Sequence, residues 1–160
     1  MEMIIKLALV LTLVIAALFY WLLPKTKFAG QLEMSESLFV VTTVVGMICG
    51  GLGLFVTIAW PQFITELHLW EIILMPLVLI NVYWAMIMKI KKTSAILDEK
   101  QILNMTNAAA VTFVFSIPLM VVLFSLYEQK VLDGIIFFPY YFFMTILLYS
   151  SSTLFYFKRA

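Results

Sequence analysis

The sequence predicts an all-α fold: a polytopic integral membrane helix bundle with five transmembrane helices. Three observations predict it. First, 64% of the 160 residues are hydrophobic and only 12% are charged, and mean hydropathy is +1.09. A soluble domain runs nearer about 45–50% apolar and about 25% charged. Second, five apolar runs each approach the roughly 20 residues that cross a hydrocarbon core of about 30 Å. Third, these runs lack the period-two alternation of barrel strands, and in lipid an open chain satisfies its backbone polar groups only as helix. So few charges cannot cover a water-facing surface, which excludes a soluble globular domain, a disordered tail and a nucleic-acid binder.

The first span runs from Leu7 to Leu23. It is longer than a signal-peptide core, and Pro24-Lys25-Thr26-Lys27-Phe28 follows it with no small-x-small cleavage site, so it reads as a retained span that Pro24 ends. The second, Leu38 to Trp60, opens on Ser35 as N-cap with Glu36 in its first turn, and Pro61 stops it. The third, Leu67 to Met88, opens at Thr65-Glu66. The fourth, Ala108 to Tyr127, is expected to be capped by Asn104 or Thr106. The fifth, Ile135 to Phe157, follows a turn at Asp133-Gly134. Short connections make sequential helices antiparallel neighbours. The segment from Lys89 to Met105 is the longest polar stretch; its Ile96, Leu97, Ile102 and Leu103 suit either a short helix on the membrane surface or an extension of the fourth span. No internal repeat or low-complexity linker divides residues 1–160, so a single membrane domain is expected.

Orientation follows from the basic residues. Lys25, Lys27, Lys89, Lys91, Lys92, Lys100, Lys158 and Arg159 fall on one side of the membrane, and Lys6 and Lys130 on the other. This bias places the C-terminus in the cytoplasm and the N-terminus outside, in a multi-pass protein of the cell membrane. Lys6 runs against it, and four spans plus an interfacial first helix is the alternative. Trp21, Trp60, Trp70 and Tyr127 sit at span ends as interfacial aromatics do, and Trp84 lies one turn further in. The sequon Asn104-Met105-Thr106 falls on the cytoplasmic side, where it stays unmodified.

Inside the spans, small and polar residues form stripes. Thr42, Gly46, Gly50, Gly53 and Thr57 recur at steps of four and three on one face of the second span, a helix-packing seam that lets another backbone approach closely. Its partner is another span or a second subunit. Ala8, Thr12, Ala16 and Tyr20 form a weaker stripe in the first span, and Ala108, Thr112 and Ser116 one in the fourth. On the fifth, Tyr141, Thr145, Tyr149, Ser152 and Tyr156 share a face. Hydroxyls aimed at lipid lack partners, so this row faces the bundle, a partner or a wet cavity. In the third, Asn81 lies mid-helix, where an interhelical hydrogen bond is expected, and Glu71 lies near the outer interface, where hydration is expected. Together Glu71, Asn81, Tyr141, Thr145, Tyr149 and Ser152 are the candidate polar lining. Pro76 and Pro118 remove backbone donors within the third and fourth spans.

Catalytic and cofactor chemistry lacks its residues. His68 is the only histidine and Cys49 the only cysteine, so a bis-histidine haem, an HExxH zinc site, a disulfide and a Ser-His-Asp or Cys-His set are all excluded. No Asp lies within a span, and Gly50-Gly51-Leu52-Gly53 follows no strand and makes no phosphate loop. No cofactor or metal is expected. The leading expectation is a small non-enzymatic membrane protein that packs into a homo-oligomer or serves as an accessory or regulatory subunit of a membrane complex. The alternatives are a channel or transporter for a small solute, ion or lipid, and a membrane sensor or immunity-type protein.

Overall fold

The computed structural model describes residues 36–67, 69–90 and 99–159, and eight further positions between 10 and 22. Among the described residues from Glu36 onward, five helices follow in order: α1 (Glu36–Ala59), α2 (Pro61–Thr65), α3 (Leu69–Ile90), α4 (Glu99–Glu128) and α5 (Gly134–Arg159). Among the described residues there is no strand, and α1, α3, α4 and α5 are long and apolar enough to cross a membrane. Of the expected first span, Val10, Leu11, Val14, Ile15, Ala17, Leu18, Trp21 and Leu22 are helical and exposed. The rest of that span, with Pro24, Lys25, Lys27, Ser35, His68, Lys91, Lys92, Ile96 and Leu97, lies outside the described residues.

Local chemistry explains the helix ends. Trp60 precedes a proline and is forced out of the helical region (φ −141°, ψ 66°), which ends α1 at Ala59. Pro61 then starts α2, where its missing N–H costs nothing. Glu36 and Glu71 occupy the first turns of α1 and α3, beside the positive end of each helix dipole. α4 closes with a Schellman turn: Val131 N donates to Leu126 O (3.0 Å) and Lys130 N to Tyr127 O (2.9 Å). Lys130 holds the left-handed position (φ 59°) that glycine usually takes. α3 opens at Leu69, not at Thr65-Glu66; Thr65 ends α2, its hydroxyl donating to Pro61 O (3.3 Å). The fourth span needs a larger correction. α4 begins at Glu99, so Asn104 and Thr106 lie inside it and neither caps it. Ile102 and Leu103 therefore extend the fourth span.

α5 is the central element. It packs along α1 on one side and α4 on the other, while α3 packs on α1 and α2 bridges α1, α3 and α5. The third and fourth spans, expected as neighbours, are thus separated by α1 and α5 over most of their length. Ile64 of α2, Leu74 of α3 and Phe143 of α5 form an apolar core near the α2 corner. Elsewhere burial is inverted relative to a soluble protein. Thr43, Thr57, Asn104, Thr112, Ser116, Ser150 and Thr153 are buried, whereas Phe113 is 67% and Ile135 72% exposed. Small and hydroxyl groups inside and large apolar groups outside is the arrangement that suits a hydrocarbon solvent.

Candidate functional site: a hydroxyl-lined cavity between α1, α3 and α5

The site begins with the glycine seam. Gly46 faces Ser150, Gly50 faces Leu147, and Gly53 lies against the Phe143 ring. The partner of the seam is therefore α5 of the same chain. As numbers rise along α1 they fall along α5, so the pair is antiparallel. A methyl group on Gly50 would come 2.8 Å from Leu147 N, whereas one on neighbouring Gly51 meets nothing within 4 Å among the described residues. Thr57 is buried at the far end, its hydroxyl donating to Gly53 O at 2.6 Å. Thr42 ends the stripe at the other end of α1 and links α1 to α3.

That link is an interhelical hydrogen bond: Trp84 Nε1 donates to Thr42 Oγ1 at 2.8 Å. Phe39 stacks edge-on against the Trp84 ring, centroids 6.1 Å apart. With α5 drawn close to α1 by the glycines and α3 tied to α1 by Trp84, a cavity of about 350 Å³ remains among the three. From α1 come Phe39, Thr42 and Thr43, and from α3 come Leu77, Asn81 and Trp84. From α5 come Thr145, Ile146, Tyr149, Ser150 and Thr153, and α4 contributes Met105. Tyr149 is the sole ionisable side chain among these lining residues. Most of these residues lie in the half of their helix nearest residues 91–98 and the C-terminus, the end that carries most of the lysines, while Leu77, Thr145 and Ile146 lie just beyond the midpoints of α3 and α5.

The hydrogen bonds of the lining run mostly inward. Thr42 donates to Leu38 O (2.8 Å), Thr43 to Phe39 O (2.9 Å), Thr145 to Tyr141 O (2.7 Å) and Thr153 to Tyr149 O (2.8 Å). Each is the i−4 back-bond that threonine makes in an apolar helix. Asn81 Nδ2 donates to Leu77 O (2.8 Å) of its own helix, so the interhelical bond expected for Asn81 goes instead to Trp84 and Thr42.

Of the candidate lining residues, Asn81, Thr145 and Tyr149 meet in this cavity. Glu71, Tyr141 and Ser152 lie outside it. Glu71 is half-buried in the first turn of α3, toward the opposite end of that helix. For Tyr141 and Ser152 the reason is angular. At about 100° per residue, the cavity face of α5 centres roughly 70° away from the expected hydroxyl row, which leaves both on the far side. Sequence reasoning missed Phe39, Thr43 and Trp84 as cavity residues, and gave Ser150 and Thr153 no place in the lining. A signal existed for the last two, since Phe143, Ser150 and Thr153 share one helical face of α5, and Phe143 and Ser150 are the rungs that meet Gly53 and Gly46. Buried Asn104 of α4, whose Nδ2 has no hydrogen-bond partner among the described residues, lies outside the lining. Among the described residues no group of His, Cys, Asp or Glu is placed to hold a metal ion.

No protein-family model, curated protein or solved structure matches the chain.

Proposed function

We propose that this chain is a non-enzymatic integral membrane protein whose working part is the cavity between α1, α3 and α5, and that it binds a small solute or lipid there as a channel or transporter component. In this reading the chain crosses the cell membrane five times, with the N-terminus outside and the C-terminus cytoplasmic. The lipid bilayer is its immediate partner, and nucleic acid plays no part.

One observation carries the reading: oxygen atoms from two helices and an amide from a third converge on a half-open cavity beside the close-packed glycine seam. Helix packing alone gives no reason for such a cavity. An empty space forfeits the dispersion contacts of its walls, and protein interiors otherwise pack to the density of organic crystals. Mostly apolar walls with a few convergent polar groups are the usual make-up of a small-molecule site, and this volume falls at the lower end of the range for such sites, about 300–1,000 Å³.

Assembly with further copies or with other membrane subunits would use other faces, because α5 occupies the glycine seam. The exposed apolar side of α4, around Phe113, Ile117 and Val121, is available for such contacts.

The test is native mass spectrometry of the protein gently extracted from its own membrane, beside Thr145→Phe, which fills the cavity. The expected result is a small molecule retained by the wild type and lost from a folded Thr145→Phe. An identical mass surplus in both, or none in either, overturns the proposal.

A further inference from the structure

The cavity also bears on the kind of ligand it takes, and this inference rests on the binding reading above. Its donors are largely committed. The hydroxyl hydrogens of Thr42, Thr43, Thr145 and Thr153 point to carbonyls of their own helices, one N–H of Asn81 does the same, and the Trp84 N–H is held by Thr42. What these groups leave toward the cavity is oxygen: lone pairs on the Thr43 and Thr145 hydroxyls, which no other side chain engages, and the Asn81 carbonyl. The second Asn81 N–H and the Ser150 hydroxyl are the donors that remain, because the Tyr149 hydroxyl is hydrogen-bonded with the Thr153 side chain. A ligand head group therefore gains most by donating.

Charge is disfavoured by the same walls. Among the described residues no carboxylate, lysine or arginine lines the cavity, and an ion with no partner in mostly apolar surroundings is disfavoured. Phe39, Leu77, Met105 and Ile146 make the rest of the wall apolar and suit an alkyl chain. We propose that the cavity takes an uncharged amphiphile whose head group donates hydrogen bonds, such as a hydroxyl carried on an alkyl chain.

The experiment uses the full chain in nanodiscs of zwitterionic phospholipid and four probes that share one tail: dodecanol, dodecyl methyl ether, dodecylammonium and dodecyl sulfate. Binding is read as a saturable shift of the thermal midpoint. Dodecanol should bind about tenfold or more tighter than the ether, which lacks the donor, since 1.4 kcal/mol corresponds to one decade. Both ions should bind more weakly than dodecanol. Thr145→Val with Thr43→Val should bring the alcohol-to-ether ratio close to one, an effect that general destabilisation would not produce. Equal affinity for alcohol and ether, or tightest binding of either ion, overturns the head-group assignment; if Thr145→Phe or Ile146→Phe still abolishes that binding, the cavity reading survives. Absence of saturable binding by any probe, or binding unchanged in both filled variants, overturns both.

Discussion

Gly50 and Gly51 are adjacent in α1 and identical in chemistry, yet only one of them touches anything. A methyl at Gly50 meets the backbone of Leu147, which has no flexible end to give way. Gly50→Ala should therefore destabilise the protein by about 1–3 kcal/mol through overpacking. Gly51→Ala meets open space and should be neutral or stabilising by up to about 1 kcal/mol from helix propensity. Thermal midpoints of the two variants in one membrane mimetic check the pair, and equal effects would remove α5 from the seam. Lys130 makes a second residue-scale case. A β-carbon in the left-handed region costs roughly 1–2 kcal/mol, so Lys130→Gly should raise stability by a fraction of that, about 0.5–1 kcal/mol. For the Trp84–Thr42 bond, a double-mutant cycle with Trp84→Phe and Thr42→Val should give a coupling near 0.6 kcal/mol, with about 1.7 kcal/mol as the upper bound for such bonds in a membrane. The glycine stripe was legible in the sequence because steps of four and three are diagnostic of a helical face. Its partner was not, since Phe143, Leu147 and Ser150 carry no mark that pairs them with glycine.

At the scale of elements, the apolar runs located α1, α3, α4 and α5 because hydrocarbon-length stretches leave little choice of secondary structure. Their polar ends were less legible. Residues 99–107 are polar enough to resemble a loop, yet they continue α4 for more than two turns, with Thr106 Oγ1 donating to Ile102 O at 2.8 Å. Thr106→Pro should cost about 3 kcal/mol or more by breaking a helix interior, and a loop there would absorb it at little cost. Unfolding measurements on this variant decide between the two. α5 shows a different limit. Its hydroxyls outnumber those needed for one face, so the sequence offered a row centred on Tyr149 while the burial of Phe143 and Ser150 turns the helix toward α1. Which of two overlapping faces points inward is set by the glycines of another helix, and periodicity within α5 cannot report that.

Among the described residues many large apolar side chains face outward while small and hydroxylated ones line the helix contacts, so the bundle is held by the close approach of α1 and α5 together with buried apolar side chains such as Ile64, Leu74 and Phe143. The distribution of basic residues carries the proposed orientation. A reporter active only in the cytoplasm should work when fused after Ala160, and one active only outside should fail there; the reverse result would invert the proposed topology. The cavity sits where this packing departs from its own rule, which is why its occupancy is the central question. The most direct measurement follows Trp84 fluorescence in a chain carrying Trp21→Phe, Trp60→Phe and Trp70→Phe, titrated with a brominated medium-chain alcohol in nanodiscs. Quenching that saturates, and that disappears when Thr145→Phe fills the cavity, is the result expected of a binding site. Quenching that rises linearly without saturation, or that survives Thr145→Phe unchanged, would contradict it.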